Sequence, residues 1–295
     1  MAFYGWPISQ CQDLSNPLIV QLNSGIRVLD VRLAVLKGEL IAFHGVYPQR
    51  ALFQHILRTL RDFLSSPLSQ SETVVMSIKQ EDFATTPLPT FSKLVHDEIM
   101  NGPGGRDLWF LENRIPRLGE VRGKIVMLSR FGGDGSGWER GLEGLGIHPT
   151  AWPDSAKSGF SWTLKGALVR THDWYSIPSF LSIPEKTRLA SEVLLLPAGG
   201  APPFPVLNIT FFSAASFPLA FPPMIARGFG WPGVGFGVEG VNARLGRWLT
   251  ERLAAGTRVR GWAFLDFYSD PDDSLVPLLV QCNFKGRKQG EEGWE

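Results

Sequence analysis

Cysteine is scarce: Cys11 and Cys282 are the two in 295 residues. That excludes a disulfide framework and a four-thiolate zinc site, and leaves a single bridge between them open. An excess of one charge is missing too. Lys+Arg is 29 against Asp+Glu 28, a formal net charge of +1, which argues against a nucleic-acid binder relying on a bulk basic field. Residues 1–7 lack the basic stretch and long apolar run of a leader peptide. Residues 193–226 carry no charge, but seven prolines and Asn208 interrupt them. A spanning helix needs ~20 continuous helix-compatible apolar residues, so this stretch reads as a buried strand followed by an apolar loop. Glycine (32) and proline (22) are abundant beside a hydrophobic fraction of 44%, which indicates many loops rather than disorder.

Short β-branched or aromatic runs punctuate the chain at residues 26–31, 40–43, 73–78, 125–128, 206–212 and 262–265. Their length and composition favour buried strands. Between them Leu52, Phe53, Ile56, Leu57, Leu60, Phe63 and Leu64 recur at three- and four-residue spacing, the stripe of an amphipathic helix. Residues 184–196 and 241–255 also read as helices, the second with Gly256 as its C-cap. The alternation predicts a parallel α/β architecture, of which a barrel is one solution. The expected organisation is one domain over residues 1–284 with a polar tail, 285–295. The glycine-rich stretch 132–146 lacks the Lys-Ser/Thr of a phosphate loop and reads as a flexible surface loop.

The chemistry gathers at the ends of these runs. The first leads through Asp30 to Arg32, the second ends in His44-Gly45, the third in Lys79, the fourth in Arg130 and the last in Asp266. In a β/α barrel the carboxyl ends of the strands share one rim, where active sites sit. Strands also end in charge simply because they reach solvent, and one such residue proves little. Two Arg, a Lys, a His and an Asp together suit an anionic, hydroxylated substrate. The cations stabilise charge, the histidine moves a proton, and the aspartate orients or accepts. No two of His44, His55, His96, His148 and His172 stand at i, i+4 on a helix, and Arg32 stands beside Asp30 where a calcium or magnesium site would gather carboxylates. No metal and no cofactor is expected. A G-x-S-x-G serine motif is lacking.

These residues sit in segments that resemble the X domain of the phosphatidylinositol-specific phospholipase C family, in its bacterial-type, metal-independent branch. Residues 22–32, LNSGIRVLDVR, resemble the family's L-x-x-G-x-R-x-x-D-x-R strand. Residues 41–45, IAFHG, resemble its second catalytic histidine motif. Residues 71–79, SETVVMSIK, and 122–130, RGKIVMLSR, resemble two further strands. Trp152-Pro153-Asp154, Asp173-Trp174-Tyr175 and residues 261–268, GWAFLDFY, resemble later family segments. The order and number of the motifs carry the resemblance, over most of the chain.

The resemblance implies a distorted (β/α) TIM-type barrel and a phosphoric diester hydrolase. The inositol 2-hydroxyl attacks phosphorus and expels diacylglycerol, leaving a cyclic inositol phosphate. By the motif match His44 is the general acid, and imidazole suits both proton transfers near neutrality. Arg32, beside Asp30, binds the non-bridging phosphate oxygens. Lys79, Arg130 and Asp173 bind inositol hydroxyls, Tyr175 stacks on the ring, and Asp266 orients the base histidine. The family's G-T-H-D-(S/T) motif, which holds that base and the partner of the acid, is absent. It lies in relatives just upstream of a segment like residues 3–12. The expectation is that Met1 is an internal methionine and that the first barrel strand is missing. The activity of this chain is accordingly expected to be feeble. The expected partner is an inositol phospholipid at a membrane interface, met peripherally by a monomer with no transmembrane span and no nucleic acid, secreted or cytoplasmic. Phe211, Phe212, Phe217, Phe221, Phe229, Trp231 and Phe236 either dip into that interface or pack a loop layer. The alternative of another class is an inositol-phosphate binding module that kept the pocket and lost the base. A glycerophosphodiester phosphodiesterase would need the carboxylate cluster that Arg32 displaces. Asn208-Ile209-Thr210 is a glycosylation sequon inside an expected buried strand.

Overall fold

The computed structural model describes residues 10–197 and 203–286. The beginning of the segment 3–12 and most of the polar tail lie outside them. The chain divides into two compact units, Met1–Trp152 and Pro153–Glu295.

In the first unit the elements run α1 (Leu18–Asn23), β1 (Val28–Leu36), β2 (Glu39–His44), β3 (Tyr47–Leu52), α2 (Phe53–Ser65), β4 (Val74–Gln80), α3 (Leu88–Asn101), β5 (Trp109–Phe110) and β6 (Ile125–Arg130). The strands make a six-stranded sheet in the order β3-β2-β1-β4-β6-β5. Side-chain alternation builds its core face. Leu29, Val31 and Leu33 of β1, Met76 and Ile78 of β4, and Ile125 and Met127 of β6 are all buried there. The helix expected around residues 52–64 is α2, and its stripe Phe53, Ile56, Leu57, Leu60, Phe63 and Leu64 is buried in the same core. The pairs β1–β4 and β4–β6 are parallel. One expectation fails here: the run 40–43 is not a further parallel strand. It is the return limb of a hairpin, antiparallel to β1 with Leu36 opposite Glu39. The connection is two residues long, and both Lys37 (φ 54) and Gly38 (φ 82) are left-handed. Such a turn matches the twist of a hairpin, whereas a crossover to a parallel strand needs a dozen or more residues. The glycine-rich stretch is also not merely surface, because Trp138 and Leu145 are buried in the first core.

The second unit runs β7 (Ala156–Leu164), β8 (Ala167–Asp173), α4 (Ile183–Glu192), β9 (Val206–Phe211), α5 (Pro222–Arg227), β10 (Gly228–Trp231), β11 (Phe236–Glu239), α6 (Val241–Ala254), β12 (Trp262–Phe264) and α7 (Leu275–Gln281). Its main sheet has the order β12-β9-β8-β7. β8, β9 and β12 are mutually parallel and β7 is antiparallel. α4, α6 and α7 supply Ile183, Ala190, Leu245, Leu249 and Leu275 to a second core. The α/β class stands, and no closed barrel occurs among the described residues. Among the described residues the uncharged stretch forms buried β9, a loop and, against expectation, most of the short helix α5; Phe211 of β9 stacks on Phe264 at 4.3 Å. Asn208 of the sequon is 1% exposed. No disulfide joins Cys11 and Cys282. No helix among the described residues is long and apolar enough to cross a membrane.

Candidate active site

Three adjacent parallel strands of the first unit carry cations at one level: Arg32 inside β1, Lys79 one residue before the end of β4, and Arg130 at the end of β6. Arg32 is opposite Lys79, and Lys79 is opposite Arg130. They continue the strand positions of Asp30, Ser77 and Leu128, on the sheet face away from Val31 and Ile78. Neighbouring strands are ~4.8 Å apart, so each adjacent pair of unit charges repels by about 3 kcal/mol at an effective dielectric near 20. Two carboxylates offset this. Asp30 accepts from Arg32 Nε at 2.8 Å, from Ser77 Oγ at 2.8 Å and from Arg130 Nη1 at 3.5 Å. Glu81 accepts from Arg32 Nη1 at 3.2 Å and Lys79 Nζ at 3.3 Å. Arg130 also lies 4.1 Å over the Trp152 ring, a cation–π contact that keeps its fork in place. Asp30 thus bridges Arg32 and Arg130, and Glu81 bridges Arg32 and Lys79.

The electrostatics follow from the crowding. Burial alone would raise the Asp30 carboxyl, but Arg32 and Arg130 outweigh it and hold the group well below the usual carboxylate range. Burial, and then the neighbouring Arg32, push Lys79 down from its ordinary value, with Glu81 opposing.

His44 closes β2. Continuing the register Leu33–Ala42 by two residues sets it beside Val31, so the hairpin delivers it to the level of the cationic row from the opposite strand direction. By strand alternation it belongs with Leu40 and Ala42, not to the row itself. Its Nδ1 lies 3.7 Å from Cys11 Sγ. His55 and His96 lie on α2 and α3. His148 Nε2 contacts the Gly133 carbonyl at 2.7 Å and Nδ1 contacts Ser129 Oγ at 2.8 Å.

The remaining expected residues lie in the second unit. Asp173 ends β8 and is 1% exposed. Tyr175, two residues on, donates its hydroxyl to Asp154. Asp266 follows β12, where Asn242 Nδ2 pins the turn by donating to the Asp266 carbonyl at 3.0 Å and the Phe267 carbonyl at 2.8 Å. His172 is buried beside Asp173, and its Nε2 donates to the Lys157 carbonyl at 3.2 Å. Burial, and next the charge of Lys186, push the His172 imidazole down to about 4. Sequence reasoning misses Lys186 of α4 and the part of Ser77 in holding Asp30. The signals are there: a period-two reading of Ser77-Ile78-Lys79-Gln80-Glu81 places Ser77, Lys79 and Glu81 on one side, and Lys186 is a cation on the inward stripe of its helix. No group of three or more His, Cys, Asp or Glu with metal-holding geometry occurs among the described residues.

No family model matches the chain. Over 155 residues it is 30% identical to a 1-phosphatidylinositol phosphodiesterase of Staphylococcus aureus, covering 51% of this chain and 46% of that protein. Over 130 residues it is 33% identical to the enzyme of that name from Listeria monocytogenes, covering 42% and 37%. These matches therefore span less than half the length of the curated relatives. A solved S. aureus phosphatidylinositol-specific phospholipase C superposes with a TM-score of 0.70 at 19% identity, covering 95% of this chain and 88% of that one. The L. monocytogenes enzyme gives 0.62 at 20% identity over 96% and 89%. In sequence over about half its length the chain resembles bacterial 1-phosphatidylinositol phosphodiesterases, and over nearly all of its length it shares the fold of the bacterial phosphatidylinositol-specific phospholipases C.

Proposed function

We propose that the protein is a phosphoric diester hydrolase that cleaves phosphatidylinositol-type lipids at a membrane interface without a metal ion. The observation that carries this reading is the row Arg32–Lys79–Arg130, three cations held level on neighbouring strands and braced by Asp30 and Glu81. A phosphodiester gathers negative charge on its non-bridging oxygens as the phosphorus is attacked, and preorganised cations answer that charge with no reorganisation. Arg32 binds those oxygens with its planar fork, which Asp30 aligns by holding Nε. Lys79 and Arg130 take up adjacent ring hydroxyls, and so does Asp173; Tyr175 stacks on the ring.

In the family's reaction the inositol 2-hydroxyl loses its proton to the histidine of the G-T-H-D-(S/T) motif, which Asp266 would orient; none of the five histidines of this sequence stands in that motif. The O2–P bond forms and the bond from phosphorus to the diacylglycerol oxygen breaks. His44 gives its proton to that leaving oxygen. The products are diacylglycerol and a cyclic inositol phosphate, which water opens in a second step. Exposed apolar side chains of the β10–β11 hairpin support peripheral lipid contact: Phe229, Trp231, Val234 and Phe236, with Phe217 before it. A solved structure of the S. aureus enzyme likewise concerns modulation of its membrane binding.

The test is release of cyclic inositol phosphate from phosphatidylinositol vesicles in the presence of a chelator. Turnover that persists with chelator and falls on Arg32→Ala supports the reading; turnover abolished by the chelator defeats it. A second reading is a binding module with the same residues and no turnover. What favours it is that, of the described histidines, only His44 stands at the strand end level with the row. Vesicle binding that depends on Arg32, with no cyclic product, would establish it.

A further inference from the structure

α4 carries a lysine where an apolar residue belongs. Its buried positions include Ile183, Lys186, Thr187 and Ala190, the i, i+3, i+4, i+7 stripe that an amphipathic helix turns inward. Lys186 is 0% exposed, and its Nζ has no hydrogen-bond partner among the described residues. An isolated buried ammonium is costly enough that a protein keeps one only where charge answers it.

The sheet beneath the helix shows what answers. α4 packs on β8 and β9, and Thr210 Oγ1 of β9 donates to the Ala190 carbonyl at 2.9 Å, one turn beyond Lys186. The strands flanking β9 each finish in a carboxylate. His172 pairs with Thr210 and Thr210 with Ala263, so Asp173 comes level with Phe264, and Asp266 lies two residues further along. Both carboxylates act on Lys186, Asp173 more strongly than Asp266. The charged or titratable groups acting on Lys186 are His172 and Asp173 from β8 and Asp266 after β12; α6, which also packs on α4, carries Arg244, Arg247, Glu251 and Arg252. The nearby side chains of β9, Asn208 and Thr210, are uncharged. His172 adds no charge near neutrality, since burial and Lys186 together keep the imidazole neutral.

We propose that Lys186 is a positioning residue for the acidic pair, its buried ammonium the shared counter-charge that holds the Asp173 and Asp266 side chains in place. The proposal rests on the function proposed above for what the pair does with substrate, but the pairing itself does not need it. Against the two carboxylates stands one lysine whose ammonium burial weakens, pushing it down to about 7. The pair is therefore held most firmly on the acid side of neutrality and loosens as the lysine loses its proton.

Two measurements on the full chain separate the pairing from its role. In protein labelled with 13Cε-lysine, the Lys186 resonance is assigned by its disappearance in Lys186→Arg and followed with pH. Asp173→Asn and Asp266→Asn each remove a carboxylate that supports the ammonium, so each should lower its midpoint by about one pH unit. A Lys186 midpoint unmoved by both substitutions overturns the proposal, whatever the activity. In the second measurement, Lys186→Met should raise the KM for phosphatidylinositol about tenfold and abolish the alkaline fall in kcat/KM, with Lys186→Arg restoring most of the affinity. Should Lys186→Met leave KM and the pH profile unchanged, the positioning role is overturned. Should the resonance respond while Asp173→Asn and Asp266→Asn leave turnover intact, the pairing stands and the functional reading of the two carboxylates falls.

Discussion

The two charged clusters solve opposite problems. The first unit sets three cations in a row and braces them with two carboxylates, Asp30 and Glu81. The second buries one cation, Lys186, near two carboxylates, Asp173 and Asp266. A phosphodiester is drawn to the first arrangement and repelled by the second, whereas sugar hydroxyls, being donors, suit carboxylates. Each cluster is built within its own unit.

The largest expected effects fall on the first cluster. His44→Ala should lower production of cyclic inositol phosphate by ~10²–10⁴, and Arg32→Lys, which keeps the charge but loses the fork, by ~10²–10³. Equal turnover in Arg32→Lys would show that the row acts only as a field. Asp173→Asn should act mainly on KM, raising it ~10–100-fold, the range for a hydrogen bond to a charged group. A kcat effect larger than the KM effect would argue against Asp173 binding ring hydroxyls.

The clusters also predict different pH signatures of stability. The His172 pKa is depressed from 6.5 to about 4 in the folded protein, so between those values the unfolded chain binds the extra proton. Stability from neutral His172 is complete above the unfolded pKa and is lost as pH falls toward about 4, a difference of roughly 3 kcal/mol at ~1.4 kcal/mol per unit. Asp30 is also depressed, and its contribution is complete above the ordinary carboxylate range and disappears only in stronger acid. Melting curves from pH 7 to 3 should therefore show the His172 loss first, and Asp30→Asn should flatten only the more acidic part. Smallest is the effect of Trp231→Ala, at a side chain 72% exposed. It should weaken vesicle binding by about tenfold and leave hydrolysis of a water-soluble substrate unaltered.

Much of the first cluster is legible in the sequence because strands write their alternation into it. Asp30-Val31-Arg32 and Ser77-Ile78-Lys79 show their two faces at period two, and the apolar partners fix which face is the core. The direction of β2 is not legible, since a run of four apolar residues reads alike in either direction. What decides it is the brevity of Lys37-Gly38, a connection too short for any crossover. Lys186 is hidden because lysines on helices are usually solvated, and only the depth of its neighbours Ile183 and Ala190 marks it as interior. The placement of Asp173 and Asp266 at the ends of parallel strands can be read from their runs, but the order β12-β9-β8 that sets one strand between them depends on pairings distant in sequence.

The tight turn at Lys37-Gly38 makes the address of His44 a matter of counting. His44 reaches the height of Val31 because the chain spends two residues on reversing and no more. Two residues inserted there, with the pairing upstream kept, would strand the imidazole ~7 Å along the ladder. A single inserted residue would exchange the sides on which Phe43 and His44 project. Homologous chains that keep this chemistry should then tolerate length changes almost anywhere in their surface connections before they tolerate one in this hairpin.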